Sequence, residues 1–378
     1  MGVVSFLAGE HRFASNAMVS AVGFLEALGG YSTPLIWLSI LAFLAGAVLE
    51  VTDRRSLAVP IVAGGWILFG VYWFSMFHYF YVEFGSPLEG VLSLAALPLS
   101  LYAAYLLLDG RDSLLVVSRA IACMGLIYLP VATIDVVKVF LIESVAQQSA
   151  WGMELLGYDV WLTEGANGYD SRFTFASRPE DSYGTYIVLA CTGLGSISIF
   201  GGLTAAVQAP LRRKLGGFIA ATGIIYVLNL FRNIFVGLAA PFGWFGGPRF
   251  ETIATTLGGG DVHTSFFISH HLISQSLSVV ALIAITLIVI RLVPEVVQPL
   301  EEVLYVLTNS EVDLAAAIGQ PSSTAGGADA ARGTGDGGAT GDGIRTASGD
   351  PDDVQPDGGS DDGVPTDASR RPNADDDA

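Results

Sequence analysis

Apolar residues fall along this chain in seven long runs separated by short polar breaks. The runs cover about Pro34 to Val51, Ala58 to Phe77, Pro87 to Leu108, Leu114 to Ile134, Tyr186 to Ala206, Leu215 to Phe235 and Leu272 to Leu292. Each is near the ~20 residues that a helix needs to cross a bilayer. A weaker run, Ala14 to Leu28, reads as an eighth span or an interfacial helix. The pattern predicts an all-α polytopic transmembrane helix bundle of seven to eight spans. Between the fourth and fifth runs lies a polar stretch, Asp135 to Thr185, which is long for a loop between spans. Its part Arg172-Phe-Thr-Phe-Ala-Ser-Arg178 alternates as a short strand does and leads into the fifth run.

Basic residues recur at alternate connections: Arg54 and Arg55, Arg111 and Arg119, Arg212 to Lys214, then Arg291. The positive-inside rule makes those loops cytoplasmic and leaves Asp135 to Thr185 external. Composition sharpens this picture. The 378 residues are 52% hydrophobic and 14% charged, which excludes an ordinary soluble globule. The net charge of −18 is concentrated at the C-terminus, since residues 311–378 alone carry −11. With only Lys138 and Lys214 as lysines and abundant aspartate, the composition suits a salt-loving host, where salt screens a self-repelling tail. We expect three regions: a transmembrane catalytic domain over 1–293, a cytoplasmic juxtamembrane segment over 294–320, and a disordered acidic tail over 321–378. No removable signal peptide is expected, because residues 1–30 carry Glu10, Arg12 and Glu26 without the usual charged, apolar and small-residue succession.

Three of the runs carry reactive or cationic side chains. Counting from the basic marker at the opposite end, Arg212 to Cys191, Lys214 to Arg232 and Arg291 to His271 are each about 27 to 31 Å apart along a helix. The thiol, guanidinium and imidazoles then share one layer at the external face. A thiol becomes a nucleophile as its thiolate, which a nearby cation or imidazole favours. An arginine at membrane depth costs on the order of 3 kcal/mol and marks a functional site. Arg232 suits an oxyanion or a substrate carbonyl, and Asn229, on the same helical face, suits its orientation. Either His270 or His271 could serve as proton carrier. Register slightly favours His271, with His270 nearly its equal, because adjacent helical residues point about 100° apart.

Other polar groups carry weaker readings. Cys123 lies mid-span as a small packing group, and no disulfide framework is indicated. Asp261 and His263 lack the spacing of a metal site, so neither a metal nor another cofactor is expected. Ser196 and Ser198 lack a nucleophile elbow. Arg249 reads as a solvated charge or a head-group contact.

At Ala190-Cys191-Thr192-Gly193, Asn229-Leu-Phe-Arg232 and Ser269-His270-His271 the chain resembles the exosortase/archaeosortase family, and most of all its haloarchaeal archaeosortase A branch. The resemblance covers roughly Ser182 to Arg291. It implies a membrane-embedded cysteine transpeptidase or protease with Cys191, Arg232 and a third basic residue as catalytic groups. That branch carries an arginine at the third position, where this chain offers His270 and His271. It also implies substrates that are secreted surface proteins with a C-terminal sorting signal. These would be cleaved through a Cys191 thioester on the extracellular side and passed to a membrane lipid amine. Two other classes compete: a transporter or channel using intramembrane Arg and His, and a non-catalytic scaffold with a recruiting tail. A transporter should show repeats and broken helices at mid-depth, whereas these ionisable groups lie at helix ends.

Overall fold

The computed structural model describes residues 23, 26–83, 87–178, 183–258 and 262–319. The Pro321 to Ala378 tail, Asp261 and most of the Ala14 to Leu28 run lie outside the described residues.

The first four apolar runs become helices α1 (Ser32–Val51), α2 (Arg55–Ser75), α3 (Pro87–Leu108) and α4 (Leu115–Thr133). Their mixed burial follows from composition. With no polar face to solvate, these helices bury a stripe of Ile40, Phe43, Val62, Ala103, Leu107 and Ala120 and leave apolar residues outward for lipid. Polar groups inside the bundle are satisfied between helices: Trp66 Nε1 donates to Ser118 Oγ at 2.9 Å, and Ser39 Oγ to the Gly65 carbonyl at 3.0 Å. Such bonds matter because no water competes in a bilayer core.

The stretch expected to be an external loop begins instead with a 21-residue helix, α5 (Asp135–Leu155). Its buried stripe is Ile142, Val145, Ala146, Ser149, Ala150 and Met153, spaced at three and four residues. Glu143, Gln147 and Gln148 lie between those positions and mask the periodicity in a hydropathy average. A hairpin follows, β1 (Val160–Glu164) and β2 (Asp170–Phe175), antiparallel with Val160 opposite Phe175. The expected strand at Arg172 to Arg178 is therefore present, starting two residues earlier and ending three earlier. Phe173, Phe175, Val160 and Ile187 form a second hydrophobic cluster with the α5 stripe and Leu238.

The fifth run is not one spanning helix. Residues 185–187 pair with β2, through Phe173 N to Thr185 O and Ile187 N to Ser171 O, each 3.0 Å. A single 3-10 turn follows (Leu189–Thr192), and only then does α6 (Leu194–Ala206) begin. Thirteen residues reach about 20 Å, short of a bilayer core. Against it pack α4 and the long α7 (Leu211–Ala239). At Gly202 a side chain would meet the Ala120 carbonyl and the Met124 backbone, so only glycine lets α6 lie this close to α4. After α8 (Pro248–Gly258), a continuous helix α9 runs from Thr264 to Leu292, with a π-helical stretch over Phe267–Ser274. An amphipathic helix α10 (Val297–Thr308) and the short Leu314–Ala317 helix follow. Among the described residues six helices are long and apolar enough to cross a membrane, with α6 a shorter apolar helix beside them. The molecule is thus a multi-pass helical membrane protein.

The basic connections meet acidic partners from neighbouring elements. Arg55 bonds Asp112 at 2.7 Å, Arg119 Glu50 at 3.2 Å and Arg213 Glu295 at 2.5 Å. Arg111 holds both Glu302 and Glu311 at 2.8 Å, with its guanidinium 3.4 Å from the Tyr305 ring centre. These contacts tie α10 to the loop before α4.

Candidate active site

Cys191 sits on the 3-10 turn that joins the sheet edge to α6. This differs from a position inside a helix, and Gly193 is the reason. Its φ of +78° is left-handed and reverses the chain direction before α6 can start. The turn is held internally by Cys191 N donating to the Val188 carbonyl at 2.8 Å and Thr192 Oγ1 to the Leu189 carbonyl at 2.7 Å. From the sheet side, Asn167 Nδ2 donates to the Ile187 carbonyl at 3.0 Å. The Cys191 side is half-buried against the α5 and hairpin cluster, and both cysteines are free thiols.

Helix α7 presents Asn229, Arg232 and Asn233 on one face, since positions three and four apart are neighbours on a helix. The two carboxamides do not orient the guanidinium, as the sequence suggested for Asn229. Both donate to the backbone carbonyl of Cys191, Asn229 Nδ2 at 2.6 Å and Asn233 Nδ2 at 2.9 Å. The sequence reading gave Asn233, one residue after Arg232, no role, although the Asn-x-x-Arg-Asn spacing carries the signal.

Arg232 reaches the third element. Its NH2 lies 3.1 Å from His270 Nε2. A guanidinium only donates, so His270 Nε2 accepts, and the imidazole carries its proton on Nδ1. Two polar atoms at this contact, Arg232 Nε and His270 Nδ1, are buried and unpartnered among the described residues. Register slightly favoured His271 over His270; within the π-helical stretch Phe267–Ser274 it is His270 that bonds Arg232. His271 is more exposed and meets His270 edge-on, ring centres 4.6 Å apart. Above His270 stands an aromatic column, with Phe266 stacked on it at 4.9 Å and Tyr183 stacked on His263 at 3.9 Å. His263 also caps α9, its Nδ1 accepting from Phe266 N at 3.3 Å. Burial lowers the His263 pKa from its ordinary value.

Cys191, Arg232 and His270 therefore come from three elements into one connected group, through Asn229 and Asn233 on one side and the Arg232–His270 bond on the other. The remaining candidates stand apart from these contacts. Cys123 is half-buried in α4, Ser198 is fully buried in α6, Arg249 is exposed on α8, and His263 serves as a cap. A cleft of about 460 Å³ lies between α5 and the hairpin, lined by residues including Glu143, Gln147, Trp161 and Asp170.

The family model for the transmembrane exosortase matches residues 30–260, a range that includes Cys191 and Arg232 and ends before His270. Archaeosortase A of Haloferax volcanii is 41% identical over 305 residues, covering 77% of this chain and 99% of that protein. Archaeosortase A of Natronomonas pharaonis is 38% identical over 282 residues, 73% of this chain and 89% of that protein. No solved structure matches. With a family model matched over more than half its length, and these relatives covered almost throughout, the chain belongs to the transmembrane exosortase family.

Proposed function

We propose that this protein is a membrane-embedded cysteine transpeptidase. It cleaves the C-terminal sorting signal of secreted surface proteins through a thioester on Cys191 and transfers them to a lipid amine. The observation that carries the reading is the linkage of Cys191, Arg232 and His270 across three elements, in a chain whose relatives are named archaeosortases. The site faces outward and the acidic tail lies in the cytoplasm, a reading supported by the basic loops gathered away from Cys191.

The chemistry follows from the donors present. His271, which is exposed and leaves the bond to Arg232 to His270, takes the Cys191 thiol proton. The thiolate attacks the scissile carbonyl, forming a carbon–sulfur bond and an oxyanion. Arg232 stabilises that oxyanion through donors left over from its bond to His270, including the unpartnered Nε. His270 holds the guanidinium in place. Collapse breaks the carbon–nitrogen bond, and the departing amine receives the proton from His271. The acceptor amine then attacks the thioester and restores the thiol. Little water at the interface favours aminolysis over hydrolysis.

Hydroxylamine tests the step, because it intercepts thioesters. Membranes carrying the wild-type chain and a surface-protein substrate should release a hydroxamate-ended product, and Cys191→Ala membranes none. Equal product from Cys191→Ala overturns the assignment.

A further inference from the structure

We infer that Asn229 and Asn233 are positioning residues that clamp the Cys191 peptide group and fix the nucleophile to the helix that carries Arg232. The inference rests on the reading of Cys191 as the nucleophile.

The need for a clamp arises from the backbone. The last carbonyls of any helical turn lack internal partners. Here the turn Leu189–Thr192 ends at Gly193, whose positive φ turns the chain away. The new helix takes its first acceptor from Gly193, through Ile197 N to Gly193 O at 3.1 Å. The Cys191 carbonyl is thus left behind by both elements. One donor would satisfy it, yet two carboxamides from α7, the half-buried Asn229 and the buried Asn233, converge on it at 2.6 and 2.9 Å. Asn233 is only 5% exposed, so its amide has been withdrawn from solvent for this bond.

Two donors on one oxygen fix the peptide plane more tightly than one. With that plane fixed, the direction of the Cys191 Cα–Cβ bond is set relative to α7. The same helix carries Arg232 between the two asparagines, one residue before Asn233 and three after Asn229. Thiol and guanidinium are therefore referenced to a single rigid element. Satisfying a stray carbonyl would explain one asparagine, and positioning explains why there are two on either side of the arginine.

The clamp can be read without enzymatic activity. In a Cys123→Ser chain, 13C-carbonyl cysteine labels one peptide group, that of Cys191, and its infrared amide I band reports the bonds to its oxygen. Asn229→Ala and Asn233→Ala should each raise that frequency, and the double variant should raise it further. Turnover of a sorting-signal substrate should fall about 10- to 100-fold in kcat for each single change, with KM nearly unchanged, the size expected of a slight misplacement. The double loss should exceed the product of the singles, because the second donor compensates for the first. Asn229→Leu and Asn233→Leu keep nearly the volume but no donor, and should behave as the alanine variants do. An unmoved band in the double variant, or a kcat loss that only tracks the fraction of folded protein, overturns the clamp. If the band shifts as expected while Cys191→Ala stays active, the clamp geometry stands and the nucleophile assignment fails.

Discussion

Gly193→Ala separates backbone strain from the clamp. At φ +78° an alanine pays about 1–2 kcal/mol for the left-handed conformation. Its added carbon would lie 3.4 Å from Ile225 and 3.5 Å from Asn229, ordinary contact distances, so strain is the whole cost. Escape to a negative φ would rotate the Cys191 carbonyl away from Asn229 and Asn233. That forfeits two hydrogen bonds of about 1 kcal/mol each and strands a half-buried carbonyl, the half-buried Asn229 amide and the buried Asn233 amide at about 1–3 kcal/mol apiece. Keeping the strained turn is the cheaper course. Gly193→Ala should therefore lower the melting temperature by a few degrees and leave the Cys191 amide I band in place. Its kcat should drop by no more than about tenfold, one such strain increment. In Gly193→Ala/Asn229→Ala the remaining Asn233 bond and the groups its loss would strand still outweigh about 1–2 kcal/mol of strain, so the turn should hold and the two losses in kcat should multiply. Purified protein in lipid nanodiscs, assayed for melting and for turnover of a sorting-signal substrate, decides it. A folded Gly193→Ala protein with no activity would refute the energetic ordering.

Four further outcomes follow from the same structure. Gly202→Ala drives a carbon into the Ala120 carbonyl and should sharply reduce the yield of monodisperse protein, since backbone cannot yield as a side chain does. Arg111→Ala leaves Glu302, 11% exposed at its side chain, without its cation; the loss of about 1–2 kcal/mol, discounted for partial exposure, should make α10 more open to proteolysis than in wild type. Because burial lowers the His263 pKa, the unfolded junction binds more protons than the folded one below pH ~6.5. Stability of the α9 cap should therefore fall as pH drops through that value, read as faster hydrogen exchange at Phe266 and flattened by His263→Asn. Truncation after Pro321 should leave turnover intact in a correctly inserted protein.

The spans were legible because hydropathy over twenty residues is the membrane's own criterion, and α1 to α4, α7 and α9 fall where the apolar runs lie. Helix α5 was hidden, since Glu143, Gln147 and Gln148 dilute an average that ignores which face is buried. The candidate site was legible as residue types, Cys191, Arg232 and the histidine pair, because reactive groups are rare in apolar runs. Its geometry was not. The Thr-Gly-Leu-Gly after Cys191 reads as small packing residues, whereas Gly193 breaks the helix and creates the carbonyl that Asn229 and Asn233 hold. A π-helical stretch likewise leaves no signature in Phe267–Ser274, so counting at α-helical spacing could not show that His270 meets Arg232.

Cys191 is the centre of the account, and the most direct test compares wild type with Cys191→Ala in cells with matched expression and membrane insertion. The readouts are the mobility and lipid labelling of a surface protein bearing a C-terminal sorting signal. The account predicts trimming and lipid attachment with the wild-type chain alone. Equal processing by Cys191→Ala would contradict it.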